Sequence, residues 1–270
     1  MPDIVDGFDP LETYDNGARE YAAVSDSYWS YVAVRSVERL ALQPGERVVD
    51  IPCGPGPALA LAAEAVGRDG AVVGLDVAPS MVEIARERVA ATAFDNITVR
   101  VGDMLELDAL DQPLDALVCA LGVFFVDDMA ALTRSFVDLV QPHRGRVSIG
   151  VFGEQFFEPM RSFFKSAVAE VSPDLVVIEP WRRTEDETTV RTLFDGCDVD
   201  LAVTTDHDRH PLPTAAAWWA IVMGSGLRRT VDASPPDAVE HVHARCDEYI
   251  AANHVTELET TTRYAVARRR

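Results

Sequence analysis

The chain has 270 residues, of which 48% are hydrophobic, and a formal net charge of −20. That length accommodates one large α/β domain, or a core domain with a smaller insertion. So acidic a surface repels phosphate backbones and anionic lipid heads, and no run of about 18 apolar residues offers a membrane span, so nucleic-acid and membrane partners are not expected. The four cysteines, Cys53, Cys119, Cys197 and Cys246, are widely spaced and form no CxxC pair. Neither a disulfide framework nor a zinc site is indicated, and a reducing cytoplasm fits best. Met1–Asp6 is acidic and carries no basic-then-apolar pattern, so no secretory leader is expected. Lys165 is the only lysine beside many arginines, which reads as the coding bias of a high-GC bacterium.

In chain order, residues 1–44 read as an N-terminal helical cap that holds Tyr14, Tyr21, Tyr28, Trp29 and Tyr31. Residues 45–155 read as an alternating core. Its strand candidates are Val48–Ile51, Ala71–Leu75, Ile97–Val101, Leu114–Leu121 and Arg146–Phe152. Between them, Pro57–Val66, Pro79–Ala91 and Asp127–Val140 have helical spacing. From Pro79 onward, Val82, Ala85 and Val89 share one face while Glu83 and Glu87 share another. Strands and helices alternating at this spacing imply βαβ units and a parallel sheet. Residues 156–270 predict helices over Phe156–Val171 and Asp186–Phe194 and a strand over Val199–Thr205. A long helical section follows from Pro213 to Asn253, broken near Gly224 and Ser234, and then a last strand over Glu259–Ala267. Asp127-Asp128 reads as the N-terminal cap of the helix it precedes.

The segment Val48-Val49-Asp50-Ile51-Pro52-Cys53-Gly54-Pro55-Gly56 runs from strand through a glycine-rich turn into a helix. Glycines there let the backbone approach a ligand, and the helix N-terminus offers free N–H donors. Asp76 ends the next strand about 20 residues on, where a carboxylate accepts ribose hydroxyls. A dinucleotide loop needs a third glycine, and Leu59 stands in its place. Asp50 would also face a pyrophosphate, an unfavourable pairing, whereas it suits a ligand with an ammonium and a sulfonium. The residues therefore favour S-adenosylmethionine over NAD.

This segment resembles the first motif of the class I S-adenosylmethionine-dependent methyltransferases, an acidic residue, two positions, then C/G-G-x-G. Three further segments are similar to that family in order: Gly74-Leu75-Asp76-Val77-Ala78-Pro79-Ser80-Met81, Val101-Gly102-Asp103-Met104, and Ala120-Leu121-Gly122-Val123-Phe124-Phe125-Val126-Asp127-Asp128. Val140–Arg146 takes the place of the family's L-K-P-G-G turn, which His143-Arg144 disturbs, and Pro52 replaces a common glycine. The resemblance implies a Rossmann-like α/β fold with a seven-stranded, mostly parallel sheet, an antiparallel last strand beside the strand near Val199, and an α-helical cap. It implies cofactor contacts from Tyr21, Asp50, Pro52, Cys53, Gly54, Gly56, Asp76, Val77, Met81, Gly102, Asp103, Met104, Ala120, Leu121 and Phe125. Asp103 would meet the adenine amino group. Residues 156–270 would then supply acceptor-binding helices and the last two strands.

For the acceptor, Tyr14, Phe124, Phe125 and Trp218 are the candidate wall residues. No catalytic base is assigned. His207 and His210 are candidates because histidine titrates in the right range, set against ordinary loop histidines. Cys53 has no neighbouring histidine and is read as a small loop residue. His241 and His243 lie two apart, on different helix faces, so a metal pair is not expected. The loop after the fourth strand lacks (D/N)-P-P-(Y/F) and an acidic metal ligand, so base- or glutamine-directed methylation and metal dependence are not expected. The reading is methyl transfer to oxygen or nitrogen of a small metabolite in secondary metabolism. A quinone-type C-methyltransferase and a non-catalytic binder of the same cofactor stay open as alternatives. The protein would be a monomer or homodimer.

Overall fold

The computed structural model describes residues 9–107, 110 and 113–270. The reading of Met1–Asp6 lies outside the described residues. Five strands form the parallel part of one sheet: β1 (Arg47–Asp50), β2 (Ala71–Asp76), β3 (Ile97–Val101), β4 (Ala116–Ala120) and β5 (Arg146–Phe152). β6 (Val199–Asp206) and β9 (Thr262–Arg269) complete it, in the order β3-β2-β1-β4-β5-β9-β6. β9 runs antiparallel to both β5 and β6, so the seven-stranded sheet with an antiparallel last strand is as expected. The central strands are apolar along their length because both faces are covered: Val48, Val49, Leu117 and Val118 are fully buried.

Strand order reverses between β1 and β4, which lie side by side with Asp50 opposite Val118. Chains leaving neighbouring strands in opposite directions open a crevice at their carboxyl ends, and ligands of such sheets sit there. α4 (Leu59–Val66), α5 (Pro79–Ala90) and α6 (Met129–Leu139) are the crossover helices. Asp128 caps α6, its carboxylate accepting from the Ala131 N–H at 2.8 Å.

The helical cap begins with α1 (Pro10–Asn16), α2 (Ala18–Tyr28) and α3 (Ser30–Leu40). α3 buries Val32, Ala33, Ser36, Val37 and Leu40, a stripe at helical spacing, against the sheet. The rest of the cap comes from α7 (Met160–Val171), α9 (Ala215–Met223), α10 (Arg228–Asp232) and α11 (Pro236–Asn253). α7 and α11 pack together, with Phe163 stacked on Tyr249 at 4.0 Å. A short α8 (Glu187–Thr192) precedes β6.

Two expected elements are corrected. The helix predicted from Phe156 begins at Met160, because the residue before Pro159 is biased away from helical conformation. Phe156 and Phe157 therefore lie in the turn before it. The last strand starts at Thr262, not Glu259. Glu257–Glu259 forms a separate strand, β8, paired with β7 (Arg209–Pro211). The break falls at Thr260, whose carbonyl accepts from the Tyr31 hydroxyl at 2.8 Å and whose N–H donates to the Asp208 carbonyl.

Candidate cofactor and acceptor site

The loop from Ile51 to Ala58 is held to the end of β2 by two hydrogen bonds, and a third fixes the Asp76 carboxylate that takes part in one of them. The Cys53 N–H donates to the Leu75 carbonyl at 2.8 Å. The Gly54 and Ala78 N–H groups donate to the two carboxylate oxygens of Asp76, at 2.8 and 3.0 Å. Gly54 and Gly56 have φ of +52° and +74°, the left-handed region that glycine enters without strain. A Cβ at Gly56 would also lie 3.1 Å from that of Ala85, so this glycine lets α5 approach the loop.

Above the crevice lies a cavity of about 1320 Å³, counted to its open mouth. Of the predicted site residues, Tyr14, Tyr21, Pro52, Cys53, Gly54, Asp76, Val77, Met81, Met104, Ala120, Leu121, Phe124 and Phe125 line it. Tyr14 and Tyr21 meet edge to face at 5.7 Å, and Tyr14 meets Phe125 at 5.5 Å. α1 is tied over this end by Asp15, whose carboxylate accepts from the Ser80 N–H at 2.7 Å. Burial first raises the pKa of both tyrosine hydroxyls; the Asp76 charge adds to it at Tyr14, and Tyr14 and then Asp76 add to it at Tyr21.

Asp50, Gly56, Gly102, Asp103, Trp218, His207 and His210 do not line the cavity. Gly56 and Gly102 shape the backbone behind it. The Asp103 carboxylate accepts from the Leu105 N–H at 2.9 Å and caps its own turn. Trp218 is corrected from an acceptor wall to a core residue: it is fully buried against Phe157 and Phe164. Its neighbour Trp219 stacks on His243 at 4.2 Å. His207 and His210 are also corrected. His207 faces Thr261, and His210 packs on Tyr31 at 4.4 Å, both at the β7–β8 corner. Neither is placed to take a proton inside the cavity.

The wall residues missing from the predicted set include Trp29, Phe152, Phe156, Phe157, Arg161, Glu179 and Trp181. Phe152 and Phe156 are 4.0 Å apart, Phe156 and Phe157 4.2 Å, and Trp29 lies against all three. Trp29 belongs to the aromatic run of the N-terminal segment, and that clustering was the one available signal.

Asp50 is 2% exposed, and neither carboxylate oxygen has a hydrogen-bond partner. Burial, reinforced by the nearby Asp76 charge, pushes its pKa up to about 8. Burial likewise pushes Asp76 up to about 6, against the lowering effect of its backbone N–H donors. Both folded-state values lie above the ordinary aspartate value, so the native state holds protons that the unfolded chain has released. The stability this confers is complete below about pH 4 and is lost as pH rises through 6 and 8. Asp50→Asn is therefore expected to raise the stability of the ligand-free protein at pH 8.5 by about 2 kcal/mol or more, and by far less at pH 4, where the unfolded carboxyl is itself largely protonated. Thermal melts at the two pH values check this. A variant as pH-sensitive as the parent would contradict it.

A parallel sheet with its crevice at the β1–β4 reversal, a glycine loop on β1 and an acidic end to β2 define a Rossmann-like α/β fold. Residues 48–143 match the family described as "Methyltransferase domain". Among its relatives is aklanonic acid methyltransferase DauC of Streptomyces sp. (strain C5), 30% identical over 51% of this chain and 62% of the relative. Nocamycin O-methyltransferase of Saccharothrix syringae is 29% identical over 50% of this chain and 48% of the relative. The chain thus matches about half the length of these curated relatives. In fold it is similar to the YcgJ protein of Bacillus subtilis, with a TM-score of 0.58 and 15% identity over 89% of this chain and 98% of the other. It is equally similar to the [4+2]-cyclase SpnF, with a TM-score of 0.58 and 16% identity over 96% and 94%.

Proposed function

We propose that the protein transfers a methyl group from S-adenosylmethionine to an oxygen or nitrogen of a small, planar metabolite of secondary metabolism. The single observation that carries this reading is the buried Asp76 carboxyl group, which lines the cavity at the end of β2, with the unpartnered Asp50 carboxyl group behind the wall at the β1–β4 crevice. Asp50 has two unpartnered oxygens and, among the described residues, no arginine or lysine pairs with it. Such a site favours a ligand with net positive charge, and S-adenosylmethionine carries a sulfonium and an ammonium against one carboxylate. The sulfonium is a methyl donor that is already activated.

The chain's own residues would bind, orient and exclude water. Asp76 uses one lone pair on each oxygen for Gly54 and Ala78 and keeps others for ribose hydroxyls. Val77, Met81 and Met104 supply apolar walls on the adenine side. Tyr14 and Tyr21 present ring surface where a cation would lie. Phe124, Phe125 and the rings of Phe152, Phe156 and Phe157 form an apolar chamber that removes water from the reacting centre. Holding donor and acceptor in line supplies much of the rate in a displacement of this kind. Similarity to aklanonic acid methyltransferase DauC and to a demethylmenaquinone methyltransferase of Symbiobacterium thermophilum supports the choice of a small-molecule acceptor.

No helix among the described residues is long and apolar enough to cross a membrane. The test is incubation with S-adenosylmethionine and a panel of planar hydroxylated and amino aromatics, reading S-adenosylhomocysteine release. Acceptor-dependent release supports the reading. Tight S-adenosylhomocysteine binding with no release on any acceptor would favour a non-catalytic binder.

A further inference from the structure

The end of the cavity away from the glycine loop holds two charged side chains in an otherwise aromatic wall. Arg161 on α7 has its side chain 8% exposed, and Glu179, just before the short 3-10 turn Pro180–Thr184, has its side chain 5% exposed. They lie 3.6 Å apart, Arg161 Nε to Glu179 Oε1, which is outside hydrogen-bond distance. Each keeps an unmade hydrogen bond. Arg161 Nη2 donates to the Glu154 carbonyl at 2.8 Å and to Glu158 at 2.6 Å, but Nη1 has no partner. Glu179 Oε2 is held by Lys165 and lies 3.5 Å from Arg182, but Oε1 has no hydrogen-bond partner. Trp181 lies against the guanidinium at 4.6 Å and fixes its plane.

Buried donors and acceptors are almost always satisfied, and leaving one unmade costs free energy. Here one donor atom, Arg161 Nη1, and one acceptor atom, Glu179 Oε1, each lack a hydrogen bond on two side chains that face each other in a cavity wall. The local charges balance: Arg161, Lys165 and Arg182 face Glu158, Glu179 and Glu185. An anion would meet the Glu179 carboxylate, and a donor alone would leave Arg161 unmet. We propose that Arg161 and Glu179 anchor the methyl acceptor. That acceptor would carry a carbonyl oxygen beside a hydroxyl or N–H at the edge of a planar conjugated ring. The carbonyl accepts from Arg161, the hydroxyl or N–H donates to Glu179, and the ring lies among Phe152, Phe156 and Trp181. Both are positioning residues, and they fix which edge of the ring faces the glycine loop. This assignment rests on reading the cavity as a methyl-acceptor site.

The test uses three probes of one ring system, titrated into the full chain with tryptophan fluorescence as readout. 2-Naphthamide offers the carbonyl and the N–H together, methyl 2-naphthoate lacks the donor, and 2-naphthoate is an anion. The amide is expected to bind about tenfold more tightly than either of the others, as one well-made buried hydrogen bond allows. Glu179→Gln and Arg161→Lys, each checked by thermal melting, are expected to shrink that preference to under about threefold. Equal binding of the three probes, tighter binding of the anion, binding of none, or a preference that survives both variants would overturn the assignment. S-adenosylhomocysteine affinity, measured alongside, tests the methyltransferase reading separately. Its loss would remove that reading without touching the probe preference.

Discussion

Asp76→Ala is expected to weaken S-adenosylhomocysteine binding by about 10²- to 10⁴-fold, the equivalent of one or two charge-assisted hydrogen bonds at about 1.5–3 kcal/mol each. Two effects act together. The carboxylate is the acceptor available to ribose hydroxyls at the end of β2, and it also holds the loop through the Gly54 N–H and the turn after β2 through the Ala78 N–H. Alanine leaves both N–H groups unpaired next to a buried wall, so the loop loses the conformation that faces the ligand. Asp76→Asn separates the two roles. One amide oxygen can still accept from one N–H, so the loop is partly retained, and an intermediate loss of affinity is expected. Isothermal titration checks both variants. A loss below about tenfold in Asp76→Ala would show that the end of β2 does not hold the ribose.

Gly122→Ala is expected to cost about 3 kcal/mol in stability, at the upper end of overpacking penalties, and to lower the melting temperature by roughly 6–12 °C. Gly122 has φ of −121°, a conformation open to any residue, so backbone strain plays no part. The cost is steric. A Cβ there would stand 2.2 Å from Cδ and 2.6 Å from Cγ of Pro52. The Pro52 ring cannot rotate away, so one of the two loops must shift. These are the cofactor loop after β1 and the loop after β4, and their close approach forms the floor of the crevice. Reduced S-adenosylhomocysteine affinity should therefore accompany the lower melting temperature. An unchanged melting curve together with unchanged affinity would mean that the two loops are not locked together. The same contact accounts for Pro52 standing where the family commonly has glycine: its partner across the crevice is itself a glycine.

The core of the sheet was readable from the chain because burial on both faces leaves a direct mark. β3 and β5 begin and end at the residues that their β-branched runs suggest, and the Asp50–Gly56 loop sits on its strand–turn–helix junction. The acceptor half of the site was not readable for two local reasons. Phe156 and Phe157 look like the start of a helix, but Pro159 delays it, and both rings turn into the cavity. α9 is nearly all apolar, so its sequence carries no face, and nothing distinguishes the buried Trp218 from the half-buried Trp219. Trp181 and Glu179 lie in a connection between helices, where side-chain direction is set by packing rather than by periodicity. His207 and His210 were drawn in by residue type alone. Their place at the β7–β8 corner follows from the break at Thr260, which alternation in the last strand conceals.

Titration calorimetry of the full chain with S-adenosylhomocysteine and, separately, NADH tests the assignment of the crevice most directly. Micromolar binding of S-adenosylhomocysteine and no binding of NADH is the expected result. Binding of NADH, or of neither, would contradict the assignment of the Asp50–Gly56 loop and Asp76 to S-adenosylmethionine.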